Sequence, residues 1–218
     1  MTASSRHSQP HARPLGLPRP QDAPDGCGVA CVARLDGRAI HEVIERGLTA
    51  LDRLEHRGAS GADVNTGDGA GILLGLPYDF FRARAEDFGI SEEEVPERGA
   101  MAIAVAFLPR DAGRAAEVQS RIEAIVDAEG QLALGWRDVP VDPSVPGALA
   151  RPSSPCIRQL MIGAGEGAED QDAFERKLFV TRRVIEIELG KDVSFPSFSS
   201  RTIVYKGMLT APQLSRFY

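Results

Sequence analysis

Cysteine is scarce in this chain: Cys27, Cys31 and Cys156 are the only three in 218 residues. An odd number without framework spacing excludes a disulfide scaffold and points to a reducing, cytoplasmic setting. Histidine is nearly as sparse. His7, His11, His41 and His56 show no metal-ligand spacing, so no metal residue is assigned and structural zinc is not expected. No apolar run approaches the ~20 residues needed to cross a bilayer. An excess of cations is also missing. The 31 acidic and 25 basic residues leave a net charge of −6, which argues against general nucleic-acid or membrane-surface binding. What remains is ordinary for a soluble globular protein, 43% hydrophobic and 26% charged. The length suits one sizeable core, or one domain and part of another.

Residues 1–26 contain Pro10, Pro14, Pro18, Pro20 and Pro24, with Leu15 and Leu17 as the only large apolar side chains after Met1. The prolines forbid an amphipathic targeting helix, and there is no secretory core. The segment reads as a disordered leader, or propeptide, ending at Gly26. Directly behind it stands Asp25-Gly26-Cys27-Gly28-Val29-Ala30-Cys31. A cysteine freed at its amino group by loss of a leader carries its own general base, because an α-amine titrates near pH ~8. The bland alternative is a buried strand cysteine.

The rest of the chain alternates. Gly28 to Arg34 is expected as a buried strand. A helix is expected from about Arg38 to Glu55, with Ile40, Val43, Ile44, Gly47, Leu48 and Leu51 on one face. Gly71 to Leu76 reads as a strand and 78–88 as a short helix. Met101 to Phe107 reads as a strand buried on both faces, and Ala112 to Glu129 as a helix. Trp136 to Pro155 reads as loop, Cys156 to Ile162 as strand and Phe174 to Leu189 as helix. Phe195 to Ser200 reads as loop, and Arg201 to Tyr205 as strand. Strict β-α alternation by itself suggests a parallel, doubly wound sheet. Cys31 and Cys156 read as buried strand residues.

Five glycines fall between Gly58 and Gly71, a density that means positive φ or close backbone approach. Arg57, Asp63, Thr66 and Asp68 interleave with them. Thr66-Gly67-Asp68-Gly69-Ala70-Gly71 lacks the lysine of a phosphate-binding loop and precedes a strand rather than a helix. A phosphate-binding module is therefore the weaker alternative.

Several segments together resemble one family. Cys27-Gly28-Val29, His56-Arg57-Gly58-Ala59, Gly61-Ala62-Asp63, Thr66 to Ile72, and Ser199 to Met208 look like the N-terminal glutamine amidotransferase domain of the large subunit of glutamate synthase. The order and spacing agree from Cys27 to Tyr218; a departure is Ala30, where the family usually has glycine. The resemblance implies an α+β fold, the four-layer αββα sandwich of the N-terminal nucleophile (Ntn) hydrolase type, incomplete at the C-terminus, with two mostly antiparallel sheets. Residues 27–218 would be the N-terminal part of the class II glutamine amidotransferase domain. It implies Cys27 as the catalytic nucleophile that forms a thioester with L-glutamine. Arg57, Gly58, Thr66, Gly67, Asp68 and Gly69 would help to build the glutamine pocket. The ammonia released would be used on 2-oxoglutarate for glutamate synthesis. FMN and an iron–sulfur cluster are implied for the missing C-terminal domains, none for this segment. The implied partners are the remaining glutamate synthase domains, with room for a small reductase subunit.

The family's carboxylate-gripping arginine and its oxyanion-hole Asn-Gly pair follow the tyrosine-lysine-glycine segment, and no His-Asn-Gly occurs in these 218 residues. Loss of one oxyanion donor costs roughly 100- to 1000-fold in rate. The alternative expectation is therefore a truncated, catalytically incomplete fragment acting at most as a structural or interaction module.

Overall fold

The computed structural model describes residues 28–57, 63 and 65–218. In chain order the helices are α1 (His41–Arg53), α2 (Tyr78–Arg82), α3 (Ala112–Ala128), α4 (Gln171–Leu189) and α5 (Leu214–Phe217). The strands are β1 (Ala70–Gly75), β2 (Met101–Leu108), β3 (Leu132–Asp138), β4 (Cys156–Gly163), β5 (Ser194–Ser199) and β6 (Thr202–Gly207). The two long helices start where acidic N-caps satisfy free backbone donors. Asp111 accepts from Arg114 N–H at 2.8 Å, and Asp170 from Ala173 N–H at 2.7 Å.

The fold is mixed α+β. Four strands form one sheet in the order β3-β4-β2-β5, and β1 pairs with β6 in a separate ribbon. Every pairing is antiparallel. The doubly wound parallel arrangement suggested by element alternation is thereby corrected. Alternation alone does not carry strand direction, and consecutive strands need not be neighbours: β5 pairs with β2, while β6, only two residues beyond β5, pairs with β1.

The period-two pattern of β2 divides the core. Ala102, Ala104, Ala106 and Leu108 face Val118, Ile122 and Val126 of α3 and Phe174, Leu178 and Ile185 of α4. The alanines let those helices approach the sheet closely. The opposite face carries Met101, Ile103 and Val105, joined by Ile157 and Met161 of β4. These meet Ile203 of β6, Ile72 and Leu74 of β1, and Phe81 and Phe88. Leu48 and Leu51 of α1 join this second core, and Gly47 brings the helix against Ile72. One polar chain crosses it. Arg137 donates to Asp87 (3.1 Å) and to the fully buried Gln159 (2.8 Å), which donates to the Tyr205 hydroxyl at 3.0 Å. This chain ties β3 and β4 to the ribbon, as buried polar groups require partners.

Three local expectations are corrected. Residues 28–34 form no strand, Val29 is 88% exposed and Cys31 is exposed. Their small side chains offer little apolar area, and no described strand pairs with them. Conversely, the expected loop at Trp136 belongs to β3, whose Trp136 donates to Glu123 of α3 at 2.7 Å. The expected loop at Phe195 is β5, with Phe195 and Phe198 packed edge to face at 5.1 Å. Cys156 does lie in a strand, half-buried, and burial pushes its thiol up.

The chain passes between sheets at Ser199–Thr202. There one oxygen of Glu175, on α4, accepts from both the Ser199 and Ser200 hydroxyls and from the Ser200 N–H. Gln171 donates to the Ser200 carbonyl and hydroxyl. Among the described residues no helix is long and apolar enough to cross a membrane.

Candidate active site

The segment richest in expected site residues enters from α1 through the turn Glu55–Arg57 and leaves into β1. Cys27 and Gly58 lie outside the described residues. Arg57 closes that turn. Thr66, Gly67, Asp68 and Gly69 stand together at the head of β1, with Thr66 and Gly67 buried and Asp68 and Gly69 exposed.

Asp63 folds this loop on itself. Its carboxylate accepts from Asn65 N–H (3.1 Å) and the Thr66 hydroxyl (2.9 Å), and its carbonyl accepts from Thr66 N–H at 3.0 Å. This is the side-chain turn that aspartate makes two residues ahead. The Asn65 N–H, then the Thr66 hydroxyl, hold the Asp63 carboxyl below the usual carboxylate range. The Thr66 proton is thereby committed, leaving the hydroxyl's lone pairs to accept.

The glycines have the two uses that their density implied. Gly67 lies against the turn after β6, where a Cβ would stand 2.4 Å from the Leu209 carbonyl oxygen and 2.6 Å from Thr210 N. Gly69 has φ +137°, a conformation other residues rarely adopt. Asp68 and Gly69 border a cleft of about 560 Å³ that runs along β1 to Lys206 and Met208. The loop and the Lys206–Thr210 segment thus form one wall, built from two of the sequence segments that carried the resemblance.

One residue behind this wall was not anticipated. Gln213 is 6% exposed. Its amide donates to the Asn65 carbonyl (2.8 Å) and the Val145 carbonyl (3.1 Å), and its oxygen accepts from Thr210 N–H at 2.9 Å. The sequence did contain a signal: Thr210-Ala211-Pro212-Gln213 has the spacing of a capping box, with proline in the first turn. No group of three or more His, Cys, Asp or Glu that could hold a metal occurs among the described residues.

Comparison with known proteins places the chain as a whole. The family model for "Glutamine amidotransferases class-II" matches residues 27–218. The chain is 39% identical over 206 residues to the large chain of glutamate synthase (NADPH) of Bacillus subtilis, covering 93% of this chain and 13% of that protein. It is 35% identical over 218 residues to ferredoxin-dependent glutamate synthase 2 of Synechocystis, covering 100% of this chain and 14% of that one. Identity to the corresponding NADPH large chain of Azospirillum brasilense is 38% over 204 residues, 91% of this chain and 13% of the relative. The chain therefore spans 13–14% of the length of these curated relatives.

Proposed function

The chain belongs to the class-II glutamine amidotransferases, and from that premise we propose that it is the glutaminase part of a glutamate synthase. The observation that carries the reading is the span of the family match, whose first residue is Cys27. Residues 1–26 act as a leader and 27–218 as the N-terminal part of the amidotransferase domain. The proposed architecture is the Ntn-hydrolase sandwich. Two antiparallel sheets across a shared core, with α3 and α4 on the outer face of the larger one, support it.

In the proposed reaction the α-amine of processed Cys27 takes the thiol proton, and sulfur attacks the side-chain carbonyl carbon of glutamine. The carbon–nitrogen bond breaks as the proton passes to the leaving nitrogen, and ammonia departs. A γ-glutamyl thioester remains. Water, giving a proton to the same amine, then cleaves it to glutamate and the thiol. Arg57, Gly58 and Thr66 to Gly69 bind the substrate.

Ammonia use on 2-oxoglutarate, FMN and the iron–sulfur cluster belong to other domains of the parent polypeptide in this reading, and a small reductase subunit is a proposed partner. Three cysteines are too few for the four thiolates of a usual cluster, so no cluster site is assigned to this chain. The proposed setting is the cytoplasm. No His-Asn-Gly segment occurs in the 218 residues, so activity is assigned to the full polypeptide and the isolated residues are proposed to be inactive. The test is glutamine-dependent ammonia release and Cys27 labelling by an electrophilic glutamine analogue in the native polypeptide. Cys27→Ala abolishes both if the reading holds. Retained activity in that variant sinks it.

A further inference from the structure

We infer that Gln213 is a positioning residue for the glutamine pocket, holding the loop that carries Thr66 to Gly69 in register. The inference rests on the glutaminase reading above.

The side-chain amide is oriented without ambiguity. Two of its neighbours, Asn65 O and Val145 O, can only accept, and the third, Thr210 N–H, can only donate. The capping box around Thr210 does not by itself call for glutamine. A glutamate would accept from Thr210 N–H equally well. A carboxylate, however, could not donate to the two carbonyls and would face both as a buried anion. The amide is therefore explained by the anchoring of the two distant loops, not by the cap.

That anchor acts on the proposed pocket. Asn65 O lies one residue before Thr66, while the Leu209–Thr210 backbone of the same turn packs on Gly67 one residue after it. The buried Thr66 is held from both sides by one short turn. Val145 O, the second acceptor, follows Asp142, whose carboxylate is turned onto the Ser144 N–H (2.8 Å) and hydroxyl (2.6 Å). Gln213 thus fastens the pocket loop to a turn that is itself closed by its own hydrogen bonds.

A matched control separates positioning from mere support. Gln131 is 1% exposed and bonds in the same pattern. Its amide donates to the Glu166 carbonyl (3.1 Å) and Glu129 carbonyl (3.5 Å), and its oxygen accepts from Gly165 N–H at 3.1 Å. Gln131 joins the end of α3 to the loop after β4 and contacts none of the residues of the wall. The experiment compares Gln213→Glu with Gln131→Glu in the native full polypeptide. It reads steady-state glutaminase kinetics and the rates of Cys27 labelling by an electrophilic glutamine analogue and by iodoacetamide. Both variants lower the melting temperature. Only Gln213→Glu raises KM for glutamine, by about tenfold, with kcat within about threefold of wild type. It slows analogue labelling by the same factor and leaves iodoacetamide labelling unchanged. Should Gln213→Glu fail to fold, Gln213→Met keeps the length without the charge and takes its place. An unchanged KM, or an equal rise in both variants, overturns the inference while the glutaminase reading stands. A wild type that neither hydrolyses glutamine nor takes the analogue on Cys27 overturns both.

Discussion

Gly67→Ala tests whether the loop and the turn after β6 are as tightly joined as the geometry requires. The added Cβ would stand 2.4 Å from Leu209 O, 2.5 Å from Leu209 C and 2.6 Å from Thr210 N. Ordinary carbon contacts lie near ~3.5–4.0 Å, so each overlap is on the order of 1 Å. All three atoms are backbone, and no rotamer change relieves them. Loop and turn must part by a comparable distance. The Gln213–Asn65 bond, now 2.8 Å, would then pass beyond hydrogen-bond range. Overpacking of this kind costs about 1–3 kcal/mol, and a buried amide proton left without its acceptor adds about 1 kcal/mol. Together these give about 2–4 kcal/mol. At roughly 2–4 °C per kcal/mol for a chain of this size, the melting temperature falls by about 4–16 °C. Thermal unfolding followed by circular dichroism reads this directly. Gly75→Ala is the control, because nothing lies within 4 Å of a Cβ there. It is expected to be neutral or to stabilise by up to about 1 kcal/mol, as alanine orders at lower entropic cost than glycine. A Gly67→Ala protein melting within about 2 °C of wild type, or a Gly75→Ala protein that loses as much, would refute the reasoning.

Other substitutions probe the polar interior and the loop. Arg137→Met leaves the fully buried Gln159 oxygen without its donor and is expected to cost about 2–3 kcal/mol in urea unfolding. Gln119→Leu is expected to stabilise by about 1 kcal/mol in the same assay, because the buried Gln119 amide nitrogen has no hydrogen-bond partner among the described residues. Asp63 is held below the usual carboxylate range when folded, so its contribution is complete above the unfolded value near ~3.9 and is lost as pH falls through the lower folded value. Urea midpoints of wild type and Asp63→Asn should therefore differ by a constant amount between pH 5 and 8 and converge below about pH 4. Divergence on acidification would contradict the assignment.

Helix α3 was readable to within a residue at each end from its periodic apolar residues, and α4 to its C-terminal end; its first turn, capped by Asp170, precedes the first large apolar residue, Phe174, and was missed. Strand β2 was readable because large residues and alanines alternate and both faces are buried. Strand β3 was not. Its Arg137 points into the core, where charge is unexpected, and only Asp87 and Gln159, 50 and 22 residues away in sequence, make that tolerable. Strand β5 was hidden by serines that serve as backbone partners, as when the Ser197 hydroxyl accepts from Val204 N–H at 3.2 Å. At the candidate site, Thr66 to Gly69 stood out by glycine density and resemblance. Gln213 did not, because its meaning depends on Asn65, 148 positions earlier in sequence. Asp63 was noticed, and it serves as a brace for the loop.

The Glu175 carboxylate oxygen that gathers three donors at Ser199 and Ser200 fixes one end of a mechanical path. From that clamp β6 runs without interruption to Gly207, and the turn beyond it abuts Gly67. The strand therefore has one end fastened to the first turns of α4 and the other against the candidate pocket, and its pairing with β1 from Thr202 to Gly207 keeps the span between them straight.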